Sequence, residues 1–154
     1  MLFFVYIYGD TGKDIKGRLT APHFGWETEF GNLGEMVCRM DELCDRMEVL
    51  KRDEPEHFFQ AEDEQQYQKL ILDDQGAFRK TSGEELESEK EQENCGCQAA
   101  ALLQVQLMSR MAHTMQGIVR SSRNGNLPVG FRSGLELMRM IAFQQMSDET
   151  KKEG

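Results

Sequence analysis

The chain reads as an α+β protein: a duplicated β-β-β-α unit, building an antiparallel sheet of about six strands with two helices on one face and an acidic insert between the copies. Three observations predict this. A shift of 100 residues lays Phe3, Val5 and Ile7 on Leu103, Val105 and Leu107, and Gly17 on Gly117. One residue later in register, Phe30 and Glu35 fall on Phe131 and Glu136, each pair opening an apolar helical stripe. Finally, residues 48–98 contain 15 acidic and 6 basic residues and match nothing in either copy. The expected divisions are a first unit over 1–47, a partly disordered acidic insert over 48–98, a second unit over 99–147 and a disordered tail over 148–154.

The first strand is Leu2 to Tyr8, where β-branched and aromatic residues favour an extended chain. Phe3, Val5 and Ile7 take one face and Phe4, Tyr6 and Tyr8 the other, so both sides are apolar. Gly17 opens a second run through Thr20, which turns through Ala21-Pro22-His23 into Gly25–Phe30, with Trp26, Thr28 and Phe30 sharing a face. Asn32-Leu33-Gly34-Glu35 is a capping box: the Asn side chain accepts a free backbone N–H and the Glu reaches back. Leu33, Met36, Val37, Met40, Leu43, Cys44 and Met47 then form one stripe at helical spacing, about 15 residues long.

The insert carries two apolar islands, His57-Phe58-Phe59 and Tyr67 with Leu70-Ile71-Leu72, which either clip onto the units and cover a sheet edge or anchor a partner. Residues 81–94, almost all Glu, Gln, Ser and Lys, read as a solvated tether or a marginal helix. Residues 99–115 favour helix by propensity, yet Leu103, Val105 and Leu107 alternate with Gln104 and Gln106, and the repeat assigns strand to 102–109. This strand's second side is polar where its counterpart's is aromatic. Gly117–Arg120 then turns through Arg123-Asn124-Gly125, a hairpin signal, into Leu127–Phe131. Ser133-Gly134-Leu135-Glu136 is the second capping box, and Leu135, Met138, Ile141 and Ala142 follow at helical spacing. Leu137, Met140 and Phe143 widen that stripe, which predicts the second helix to be the more enclosed.

Met115-Gln116-Gly117 followed by Phe131-Arg132-Ser133-Gly134-Leu135-Glu136-Leu137 resembles a cadence in short uncharacterised bacterial proteins, where a Trp-Gln-Gly precedes a Phe-Arg-Ser-x-Leu-Glu-Leu. The likeness covers about 40 residues per copy. Met115 stands where that pattern has Trp, and the first copy keeps only the glycine, the Phe and the Glu. The resemblance implies the folding unit and no activity.

Of the 154 residues 27 are acidic and 18 basic, a net charge of −9, which disfavours a general nucleic-acid coat. The insert alone accounts for −9, while residues 1–47 carry −3 and residues 99–154 carry +3. No run approaches a membrane span, and Met1–Asp10 lacks the features of a signal peptide, so a cytoplasmic protein is expected.

The search for chemistry is negative. The chain has no Walker sequence and no dinucleotide fingerprint. His23, His57 and His113 are not at ligand spacing, and Asp10-Thr11-Gly12 lacks a second such aspartate, Arg110 standing at the equivalent offset. Cys95-Gly96-Cys97 could share a soft metal or form a strained disulfide, but Cys38 and Cys44 diverge by roughly 120° on a helix and cannot complete a site. No cofactor, metal or catalytic residue is therefore expected.

What remains are surfaces. Phe4, Tyr6, Tyr8 and Trp26 are candidates for an aromatic interaction face. Arg120, Arg123 and Arg132 surround one hairpin and one helix start as a basic face, which receives the acidic insert or first unit of the chain itself, a small phosphate or RNA contact, or an acidic protein partner. The expected function is a non-enzymatic protein–protein interaction or regulatory module with an unidentified protein partner. The alternatives are an acidic nucleic-acid-mimicking inhibitor of phage or mobile-element type, and a thiol or metal protein using Cys95 and Cys97.

Overall fold

A computed structural model describes residues 1–8, 14–54, 57–73, 99–112 and 114–152. Six strands form one antiparallel sheet: β1 (Leu2–Tyr8), β2 (Gly17–Ala21), β3 (Trp26–Phe30), β4 (Ala99–Ser109), β5 (Gln116–Ser121) and β6 (Val129–Phe131). Their order across the sheet is β3-β2-β1-β4-β5-β6, so β1 and β4 form a central seam and each half fans outward by hairpins. Among the described residues the α-helices are α1 (Leu33–Arg46), α2 (Ala61–Asp73) and α3 (Gly134–Lys152).

Alternation along the strands puts Phe3, Val5, Ile7, Leu19, Ala21, Phe30, Leu103, Val105, Leu107, Val119 and Phe131 on one face. They form one core with Met36, Met40, Leu43 and Cys44 of α1 and Leu137 and Ile141 of α3. Both helices therefore lie on the same side of the sheet. The strand over 102–109 is present and begins earlier, at Ala99: burial on the sheet outweighs the helical propensity of its Ala, Leu and Gln.

The two halves repeat local details as well as element order. In both hairpins a short 3₁₀ turn (Pro22–Phe24, Ser122–Asn124) is closed by a left-handed glycine, Gly25 or Gly125. The second connection is thus longer than a two-residue Asn-Gly turn. Both capping boxes form: Asn32 Oδ1 accepts from the Glu35 N–H at 2.8 Å, and Ser133 Oγ from the Glu136 N–H at 3.1 Å. Each Glu reaches back one residue beyond the cap, Glu35 to the Gly31 N–H at 2.8 Å and Glu136 to the Arg132 N–H at 2.6 Å.

Two expectations about the helices are corrected. α3 is the less enclosed helix: Leu137 and Ile141 are buried, while Leu135, Phe143 and Met146 are more than half exposed. Its apolar residues run around the whole cylinder, and only one stripe can face the sheet. α3 also runs on to Lys152, so helix occupies much of the expected tail. The insert contributes α2, which packs on α1; Ile71 is buried and the Phe58 ring lies against Tyr67. The stretch 81–94 lies outside the described residues.

Candidate functional site

The core claims one face of the sheet, and among the described residues no helix packs on the other. The registers place five side chains in one row across it: Glu27 on β3, Thr20 on β2, Phe4 on β1, Gln104 on β4 and Arg120 on β5. The next row holds Glu29, Arg18, Tyr6 and Leu102, and on the other side of Phe4 lie Leu2, Gln106 and Ile118. The centre is thus aromatic and aliphatic, the β3 edge is acidic, and the β4–β5 half carries glutamines and one arginine.

Electrostatics within the face are sparse. The Arg18 guanidinium lies 4.7 Å from the centre of the Tyr6 ring and pairs with Glu27 Oε1 at 3.4 Å. The Glu27 side chain remains 58% exposed, so this pair contributes little. The Arg120 guanidinium makes no hydrogen bond or ion pair among the described residues.

Phe4, Tyr6 and Tyr8 lie together on this open face, half-buried by their neighbours. Trp26 does not join them. It sits opposite Ala21 in the β2–β3 ladder and packs against the core on the helix-covered side, because Trp26 and Phe30 share a face and Phe30 is buried. The three arginines likewise do not form one surface. Arg120 is on the open face; Arg123 donates to the Ala100 carbonyl at 3.1 Å and to Gln145 Oε1 at 3.0 Å; Arg132 is exposed where β6 meets α3. Cys95, Cys97, His113 and Asp10-Thr11-Gly12 lie outside the described residues. Among the described residues no group of three or more His, Cys, Asp or Glu could hold a metal. Sequence reasoning missed Leu2, Leu102, Ile118, Glu27 and Glu29 as parts of the face; their alternation with buried neighbours was the available signal.

Among the described residues Arg110 is the most buried charged side chain, 4% exposed, and it organises a second cluster. Its Nε donates to the Leu50 carbonyl at 2.8 Å, and Nη1 donates to Asp41 Oδ1 at 2.9 Å and Asp45 Oδ1 at 2.7 Å. Burial opposes the charge, but the hydrogen bonds of Asp41 and Asp45 outweigh it and hold the guanidinium pKa above its ordinary value. Arg52 also pairs with Asp41 and Asp45, and the Tyr67 hydroxyl donates to Asp45 Oδ2 at 2.8 Å. Glu48 and Leu50 adopt left-handed φ values of 52° and 48°, turning the loop so that its carbonyls meet Arg110. A cleft of about 560 Å³ beside the cluster is lined by Arg46, Lys51 and Arg52 together with Glu48, Glu54 and Glu64. These mixed charges join α1, the following loop, α2 and the β4–β5 connection. The Cys44 thiol beneath them is pushed up to about 11 by burial, which suits packing and not nucleophilic work.

No helix among the described residues is long and apolar enough to cross a membrane. No protein-family model, curated protein or solved structure matches this chain, so the open sheet face stands on its own geometry as the candidate site.

Proposed function

We propose that the chain is a non-catalytic, intracellular protein-interaction module that engages a protein through the open face of its sheet. One observation carries this reading: Phe4, Tyr6 and Tyr8 line a central strand on the side that no helix among the described residues covers. An aromatic centre with a polar and charged rim is the composition of a protein interface, in which a few large side chains supply most of the affinity.

The recurrence of strand order, 3₁₀ turn, left-handed glycine and capping box supports an origin by duplication of a β-β-β-α unit. On that reading the β1 side of the face diverged towards aromatic residues and the β4 side towards Gln104 and Gln106. The nucleic-acid-mimicking alternative has less behind it. Asp41 and Asp45, on α1, are bound by arginines, and the exposed acids Glu62, Asp63 and Glu64 of the insert are three consecutive residues at one helix start, with no regular phosphate-like row.

Capture experiments with the full chain test the proposal. Tyr6→Glu places a charge at the centre of the face without touching the core. It is expected to abolish retention of any partner while leaving the circular dichroism spectrum unchanged. Retention that survives both Phe4→Glu and Tyr6→Glu would move the interface elsewhere.

A further inference from the structure

We propose that the partner on this face is a second copy of the chain, docked about a twofold axis that runs along β1. The assignment rests on the reading of the open face as a protein interface and adds the identity of the occupant. Strand order supplies the argument. In β3-β2-β1-β4-β5-β6, the acidic edge strand β3 and the Arg120-bearing β5 each lie two strands away from β1, on opposite sides, with the short β6 beyond β5.

Rotation about an axis parallel to β1 keeps every residue at its height along the strands and exchanges left for right. Phe4 then meets Phe4 of the other copy, Thr20 meets Gln104, and Glu27 meets Arg120, because these five residues occupy one row. The contact is isologous, so the Glu27–Arg120 pairing occurs twice, once on each side of the aromatic column. The alternative in-plane axis, perpendicular to the strands, would lay Glu27 and Glu29 of β3 over the same strand of the other copy. Charge therefore selects the first arrangement.

Two further features fit. Arg120 has no ion-pair partner among the described residues, and Glu27 holds only its exposed pair with Arg18. Stacked sheets sit about 10 Å apart and within about 30° of alignment, a spacing that long Glu and Arg side chains bridge from both sides. Five strands at about 4.8 Å spacing and about 20 Å length present roughly 500 Å² in projection, and more in accessible area, comparable with the ~800 Å² per partner of a standard interface.

Analytical ultracentrifugation of the full chain over about 1–200 µM provides the test, with the expectation of a dimer in the micromolar range or tighter. Glu27→Arg and Arg120→Glu alone should each weaken it by at least ~10-fold, since each puts like charges together twice. Mixing the two variants should restore a heterodimer, in which both contacts are again Glu against Arg, and the doubly swapped chain should self-associate like the parent. These changes lie at exposed or half-exposed positions, and unchanged thermal unfolding confirms intact folding. A chain monomeric throughout, or a dimer that neither reversal affects, overturns the assignment. If the chain is monomeric but Tyr6→Glu still abolishes capture of another protein, the second-copy proposal falls and the open-face reading stands. If it is monomeric and capture is also unaffected, both fall.

Discussion

A methyl group added at Gly117 has nowhere to go. It would strike the Gln106 carbonyl oxygen and come within 3.0 Å of the Phe131 ring, and at Gly17 the Tyr6 carbonyl and the Phe30 ring stand in the same places. Backbone cannot yield as a flexible side chain can. Gly117→Ala should therefore cost about 2–3 kcal/mol in urea unfolding. Gly125→Ala, at a left-handed position with open space around it, should cost only about 1 kcal/mol. Cys44 gives a pH signature of its own. Burial raises its thiol from the ordinary 9.0 to about 11, so the unfolded chain releases that proton first. Stability is then unaffected below pH 9 and declines between 9 and 11, by roughly 2–3 kcal/mol in all from this group. A Cys44→Ala chain should lack this alkaline component. In native protein at pH 8, alkylation followed by peptide mapping should modify exposed Cys38 and spare Cys44.

At the scale of elements, the caps were legible because their chemistry is local: Asn32 with Glu35 and Ser133 with Glu136 stand three residues apart. Asn32→Ala and Ser133→Ala should each cost about 1 kcal/mol, read as a shift in urea midpoint with unchanged slope. Trp26 was legible too, since it shares a face with Phe30, but grouping it by residue type with Phe4 and Tyr6 put it on the wrong side of the sheet. Arg110 could not be found this way. Its carboxylate partners Asp41 and Asp45 are 69 and 65 residues away, and only the fold brings them together. Removing it leaves Asp41 and Asp45 to Arg52 and Tyr67 and takes the donor from the Leu50 and Val49 carbonyls, so Arg110→Met should destabilise the chain by about 3 kcal/mol. The loosening should appear first as faster amide exchange in α2, which is tied to the same aspartate through Tyr67.

For the whole molecule, periodicity and self-similarity revealed the antiparallel sheet, the β2–β3 and β5–β6 hairpins and the helices α1 and α3. The enclosure of α3 was misread because hydrophobicity all round a helix signals burial only when neighbours exist to bury it. The charge division between the halves proved to be internal bookkeeping in part, with Arg110 of the second half neutralising acids of the first. A core shared across the β1–β4 seam predicts that neither half unfolds alone. Fluorescence of Trp26, which reports on the first half, and far-UV circular dichroism, which reports on both, should give superimposable urea transitions.

That seam also has a consequence during synthesis. Phe3 pairs with Val105, so β1 waits while about 100 further residues are translated. At roughly 5–20 residues per second the wait is about 5–20 s, during which a strand apolar on both sides has one edge unclaimed. Leu2–Tyr8 is an unpaired, two-sided apolar edge over that interval. Slow codons or stalls between β1 and β4 would lengthen the exposure, making yield of soluble chain sensitive to translation rate even where the finished fold is unchanged.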